Sequence, residues 1–267
     1  MKVLIANYRY MILGGPGRYL FTVKDALEKR GHEVVPFALR FTRNEPTPYE
    51  RYFASPLAGA DAVTLAQHRW TPWSVLKTLG RAFYSPEVER TVRRLAEDTQ
   101  PDIAYVLLYL KKLSPSVLVG LHRQGLPIVV RISDYLMLCP QALFLRDGKP
   151  CTLCAGGALW PSVRHRCVKH SLGASIIHAL STLYHRARRY FDLVDRWVIP
   201  SRFTMERMIE AGWPADRLVH IPTFTADSFF ADDPPRGADH ILYVGHIEPH
   251  KGPDVLIRAY ARLAKNI

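Results

Sequence analysis

Apolar residues along the chain come in two alternating textures. Short unbroken runs are followed by longer segments in which apolar residues recur every three or four positions. Residues 2–7 (KVLIAN) form such a run and predict a strand buried on both faces. Over 18–30, Leu20, Val23, Ala26 and Leu27 share one helical face, and Gly31 supplies the stop. Residues 33–38 (EVVPFA) predict the next strand. The glycine-rich segment Gly14-Gly15-Pro16-Gly17 separates the first strand from the helix. Strand, glycine loop, helix and strand in this order are a βαβ unit of a parallel sheet.

The alternation continues. Ser85 caps a helix with Pro86 in its first turn and Val88, Val92, Leu95 and Ala96 inward. Strands are predicted over 102–110, 127–132, 196–200 and 218–222, and helices over 114–123, 172–191 and 204–211. Residues 41–84 are rich in Pro, Arg and aromatics and predict no ordered succession of elements; Arg69, Trp70 and Trp73 there read either as packing or as an acceptor groove. Residues 225–239 carry Asp, Pro and Gly without apolar period and read as a linker. The pattern then restarts, with a strand over 241–247 (ILYVGHI) and a helix over 252–265. The expected fold is α/β: a Rossmann-like parallel sheet flanked by helices over 1–224, a loop at 135–170, and at 240–267 the first strand and helix of an incomplete second Rossmann-like domain. A lone βα unit cannot bury both faces of its strand, which favours a second domain over an addition to the first sheet.

Composition narrows the class. The 267 residues are 48% hydrophobic and 22% charged, in periodic segments, which excludes disorder. No run approaches the ~18 consecutive apolar residues of a membrane span. The N-terminus has neither the length nor the cleavage site of a signal peptide, so a cytoplasmic location is expected. A net charge of +12 favours anionic partners without choosing among nucleic acid, anionic lipid and phosphorylated small molecules. Arg164, Arg166, Lys169, Arg186, Arg188 and Arg189 lie around the 172–191 helix. Together they make either a solvated basic face or a surface for peripheral contact with the inner face of an anionic membrane.

Chemistry concentrates at strand ends. Gly14, Gly15 and Gly17 precede a helix N-terminus, where backbone N–H groups and the helix dipole suit an anion; a tight turn needing positive φ is the plainer reading. Asp134, after PIVVRIS, can hydrogen-bond a sugar hydroxyl or cap its own loop. Arg202, after RWVIP, can face a phosphate or pair with a carboxylate. Lys251, at a helix start, can place a point charge by a diphosphate or simply be solvated. All four cysteines, Cys139, Cys151, Cys154 and Cys167, fall in one loop with spacing C-x11-C-x2-C-x12-C, with His165 and His170 nearby. This spacing suits a tetrahedral zinc site, closed and therefore structural; four packed free thiols are the alternative.

The stretch ILYVGHIEPHKGPDVLIRAYARL resembles the opening of the donor-binding domain of family-4 glycosyltransferases, retaining enzymes of GT-B fold. Gly245 and Lys251-Gly252 match, whereas His246 stands where that family usually has Arg. VDRWVIPSRFTMERMIEAGWPADRLVHIPTF resembles the last βαβ of its acceptor domain, and the first strand, Gly-Gly loop and RGHEV complete the pattern. The resemblance covers nearly the whole chain. It implies transfer of a sugar from a nucleotide-diphosphate donor to a hydroxyl acceptor with retention. The acceptor would be a polysaccharide, a glycolipid or a lipid-linked saccharide, the leaving diphosphate would act as base, and no catalytic metal would be needed. Asp134 would occupy the catalytic position, where the family's His-Asp is replaced by Ser133-Asp134. Gly14, Gly15, Gly17, Arg202, His246 and Lys251 would face the donor phosphates. The family's later E-x7-E pair is not in this sequence, so residues 1–267 alone are expected not to transfer sugar; any transfer by them would refute that. Two other classes stay open. One is a zinc-knuckle nucleic-acid module, although the aromatic and two-helix signatures that place bases are missing and no nucleic-acid partner is expected. The other is a non-catalytic acceptor-binding domain.

Overall fold

The computed structural model of the protein describes residues 1–57, 59–61, 71–225 and 241–263. In chain order the elements are β1 (Lys2–Ala6), α1 (Gly14–Glu28), β2 (Glu33–Phe37), α2 (Pro72–Phe83), α3 (Pro86–Thr99), β3 (Ile103–Val106), α4 (Ser116–His122) and β4 (Ile128–Arg131). Then come a small hairpin of β5 (Leu145–Arg146) and β6 (Lys149–Pro150), α5 (Trp160–Arg164), α6 (Leu172–Ala187), β7 (Arg196–Ile199), α7 (Arg202–Glu210), β8 (Leu218–His220) and α8 (Pro253–Leu263). Six strands form one parallel sheet in the order β2-β1-β3-β4-β7-β8.

The unbroken apolar runs arise because both sheet faces are used. Leu4, Val35, Phe37, Val106, Ile128, Val130, Trp197 and Ile199 point to one side, into a core shared with α3, α4 and Met208 of α7. Val3, Ile5 and Val34 point to the other, beneath Leu20 and Val23 of α1. Register is fixed by pairs such as Leu4↔Val35 and Leu4↔Ala104, which put like faces side by side. The Ser85 cap forms as the sequence predicts, its hydroxyl accepting from the Val88 N–H at 3.3 Å.

Several boundaries differ from expectation. α1 begins at Gly14, so the glycines make its first turn rather than a loop before it. β3 stops at Val106, short of the predicted end at 110, and residues 110–113 form turns. α6 ends at Ala187, where Arg189 takes a left-handed backbone at φ 55°. The unassigned stretch 41–84 contains α2, opened by a reciprocal Thr71–Ser74 capping box that the sequence reading overlooked. Trp73 falls in the first turn of α2; Arg69 and Trp70 lie outside the described residues, as does all but the first residue of the 225–239 linker. The predicted strand over 241–247 does not form: Ile241, Leu242, Val244 and Ile247 are exposed. Among the described residues no strand lies beside it, and a parallel strand without neighbours has no ladder to join.

Candidate functional site

The sheet reverses its winding direction across β1 and β3, since β2 lies on one side of β1 and every later strand on the other. Ligands of open α/β sheets bind beyond the carboxyl ends of strands at such a switch point. Here Asn7, buried just after β1, ties the loop that follows β1 to the segment that follows β3. Its side-chain amide donates to the Arg9 carbonyl at 2.7 Å and its oxygen accepts from the Leu108 N–H at 3.2 Å. Beyond it opens a crevice of about 190 Å³, lined by Tyr8, residues 107–112, Arg131, Ile132, Ser133 and Asp134, with Leu136 and Met137 behind.

Arg131 ends β4 and is 8% exposed. Its guanidinium donates to the Ser133 hydroxyl at 3.0 Å and to the Thr223 hydroxyl at 2.7 Å. Its Nε is buried without a partner, and so is the hydroxyl of Tyr109. Both residues line the crevice. Orphaned buried polar atoms are uncommon and call for an explanation, of which a missing ligand is one. Burial raises the Tyr109 hydroxyl well above its ordinary range, and Asp134 adds to this, so the phenol is a donor at neutral pH. The crevice is also cationic. Burial pulls the Lys112 ammonium down to about 8, and Lys169, Arg9, Arg81 and Lys111 push the same way. Lys111 is lowered by burial and Lys169, with Asp134 opposing. Among the described residues no carboxylate forms an ion pair with Lys111, Lys112, Lys169 or Arg131.

Of the residues singled out from sequence, Asp134 alone lines this crevice. Its Oδ1 accepts from the Leu136 N–H at 2.9 Å, so it does cap its own loop. Gly14, at φ +69°, and Gly15 open α1 at the carboxyl side of β1, with no side-chain cap at Leu13 and no acid in the first turn. Gly17 has a packing reason: a Cβ there would fall 2.5 Å from the Met11 carbonyl oxygen. Arg202 is exposed at the start of α7, beyond β7. His246 is exposed, its carbonyl accepting from the Tyr243 hydroxyl at 3.1 Å. Lys251 closes a short 3-10 turn before Gly252. Sequence reasoning missed Arg131, Tyr109, Lys111 and Lys112. The available signal was an arginine ending the otherwise apolar run IVVRI, and two lysines directly after YVLLYL.

The cysteines are free, Cys154 buried and the others half-buried. Burial raises Cys154 to about 11 and raises Cys167 as well, and in both the other thiols add to the shift, so the sulfurs share one neighbourhood. Yet among the described residues no three His, Cys, Asp or Glu side chains stand close enough together to hold a metal ion. The donor set suits zinc, but as placed the thiols do not form a coordination sphere. Among the described residues no helix is long and apolar enough to cross a membrane.

A doubly wound sheet with an anion-suited crevice at its switch point defines a class of ligand-binding α/β domain shared by many enzymes. The profile of the glycosyl transferase 4-like domain matches residues 14–223, and the chain belongs to that family. It therefore carries a glycosyltransferase-type domain. No curated protein sequence matches it. Among solved structures it is similar to MurG of Acinetobacter baumannii, at 11% identity and TM-score 0.38, over 88% of this chain and 48% of that one. UDP-N-acetylglucosamine 2-epimerase of Rickettsia bellii gives 13% identity and TM-score 0.43, over 84% and 45%. Anabaena Alr3699/HepE, solved in complex with UDP-glucose, gives 16% and 0.39, over 85% and 47%. The chain thus spans about half the length of these proteins, and likeness at this level carries no functional argument.

Proposed function

We propose that the crevice at the β1/β3 switch point is the acceptor side of a glycosyl-transfer site, where a sugar passes from a nucleotide-diphosphate donor to a hydroxyl with retention. The observation that carries this reading is the pair of buried, unpartnered polar atoms, the Tyr109 hydroxyl and Arg131 Nε, on residues lining a crevice where, among the described residues, no carboxylate forms an ion pair with the lysines. Such a wall suits an oxygen-rich anionic ligand, and family membership supplies the reaction class. Asp134, its Oδ1 held by the Leu136 N–H, offers its second oxygen to an acceptor hydroxyl. Arg131, held by Ser133 and Thr223, offers the reacting group a cation whose orientation need not reorganise. The uncapped glycine turn of α1, with Arg202, His246 and Lys251, supplies the donor-phosphate contacts in this proposal. Incubating the protein of the whole reading frame with radiolabelled nucleotide sugars and a pool of hydroxyl acceptors tests it. Transfer with retained anomeric configuration, weakened in Asp134→Asn, supports the reading; inversion, or hydrolysis as the sole reaction, overturns it.

We also propose that Cys139, Cys151, Cys154 and Cys167 clamp the 135–170 loop through a structural zinc ion. Support comes from their spacing and shared neighbourhood, and the side chains would have to draw together to close the sphere.

A further inference from the structure

The crevice does not end at the lysines. Leu110, Lys111, Leu136 and Met137 line both it and a larger groove of about 320 Å³ between α2 and α6. The groove wall is largely hydrocarbon, with Leu79 and Ala82 from α2, Ile177 from α6, and Phe191 and Trp213 beyond. His178 in that wall is kept neutral, burial lowering it to about 4 with Lys111 and His185 acting the same way. Outside the groove the same two helices leave apolar side chains in solvent: Leu76 on α2, and Leu172, Ile176, Leu180 and Leu183 along α6. A stripe at three- and four-residue steps is a helix face that ordinarily meets an apolar partner. Lys169 lines the groove, Lys112 lines the crevice and Lys111 lines both, so cations stand where the two spaces join.

We propose that this groove binds the hydrocarbon chain of a lipid-phosphate acceptor, whose phosphate or diphosphate sits among Lys111, Lys112 and Lys169 and whose reacting group enters the crevice beside Asp134. The inference rests on the transferase reading of the crevice and names the acceptor class. The occupant follows from charge complementarity. An apolar peptide would fill the groove but bring no negative charge to Lys111, Lys112 and Lys169 where the two spaces join. An anionic leaflet would neutralise the lysines and cover the outer stripe, but would leave the enclosed wall around Ile177 and Trp213 empty. An amphiphile with its anionic group directly after its chain satisfies both regions at once.

The test is calorimetric titration of residues 1–267 with farnesyl diphosphate, an isoprenoid diphosphate that stays dissolved, beside inorganic diphosphate and farnesol. Farnesyl diphosphate is expected to bind at least tenfold more tightly than either half. Lys111→Ala with Lys112→Ala should weaken it tenfold or more. Ala82→Trp, which fills the groove, should bring it to the level of inorganic diphosphate and leave inorganic diphosphate unchanged; Thr78→Phe serves as a second blocking variant should Ala82→Trp misfold. Equal affinity for the farnesyl and inorganic diphosphates, or indifference to both blocking variants, overturns the inference. Adsorption to phosphatidylglycerol vesicles without farnesyl diphosphate binding would assign this face to the bilayer instead. Sugar transfer to a water-soluble acceptor, undiminished in Ala82→Trp, would overturn the lipid site and leave the transferase reading intact. Farnesyl diphosphate binding with no transfer to any acceptor would do the reverse.

Discussion

The guanidinium carbon of Arg131 lies 3.9 Å from the centre of the Tyr19 ring, bracing the end of β4 against α1. Tyr19 is itself held, its hydroxyl 2.9 Å from that of Tyr105 in β3. One face of the guanidinium is thereby fixed on an aromatic ring, two nitrogens are engaged by Ser133 and Thr223, and Nε is left without a partner. A buried cation held this rigidly is suited to receive an anion, because its orientation is set before the ligand arrives.

That arrangement separates stability from function. Arg131→Met keeps the aliphatic stem and the ring contact and removes the charge. The lost cation–π and hydrogen-bond contacts, about 1–2 kcal/mol, are offset by relief of a desolvated charge, so urea unfolding should shift by about 1 kcal/mol or less. Binding of inorganic diphosphate, followed by calorimetry, should nonetheless fall about tenfold. A large loss of stability with diphosphate binding unaltered would make Arg131 a packing residue.

The three glycines of the first α1 turn should respond differently. In Gly17→Ala the new methyl group meets the Met11 carbonyl oxygen, a backbone atom that cannot step aside, and a cost of about 1–3 kcal/mol is expected. Gly14→Ala forces a side chain into φ +69° and should cost about 1 kcal/mol. At Gly15 nothing lies within 4 Å of the added carbon, so Gly15→Ala should be neutral or stabilising by up to about 1 kcal/mol. Thermal unfolding of the three variants gives the order directly.

His178 makes stability depend on pH. Burial, with Lys111 and His185, lowers it from 6.5 to about 4. The unfolded chain therefore binds a proton that the folded one refuses between these values, and folding is weakened as pH falls from about 6.5 towards 4. His178→Gln should flatten the fall in urea midpoint over that window. An unchanged slope would mean that His178 takes up its proton as readily in the fold as in the unfolded chain.

Metal content decides the cysteine loop. Elemental analysis of freshly purified, reduced protein should find one zinc per chain, lost in Cys151→Ser and Cys154→Ser. Zinc binding must displace thiol protons, since burial holds the Cys154 thiol above its ordinary range, so loading should release acid. Metal-free protein with an ordered loop would leave the four thiols as packing residues.

The sheet was legible because its inner strands are buried on both faces and announce themselves as apolar runs; β1, β2, β4 and β7 fall within a residue or two of expectation. Helix starts were less clear where no cap residue marks them, and α1 opens on glycines behind Leu13 with no side-chain cap. The strand expected over 241–247 has the right local pattern, but a strand is made by its neighbours, which local sequence does not supply. The site was harder to read for a similar reason. Asp134 could be named from its place after a strand, whereas Tyr109 and Arg131 matter because their polar atoms end up buried without partners, a property of the packed structure and not of the residue. Lys111 and Lys112 carry no motif that marks them in the sequence; only the fold brings them to the crevice.

The most direct measurement is sugar transfer by the protein of the whole reading frame, with a labelled nucleotide-diphosphate sugar, for the parent and Arg131→Met side by side. Retained configuration in the parent and a loss of about a hundredfold in the variant, with the fold unchanged by circular dichroism, is the expected result. Transfer by Arg131→Met at the parental rate, or no transfer by either protein to any hydroxyl acceptor, would contradict the assignment of the crevice.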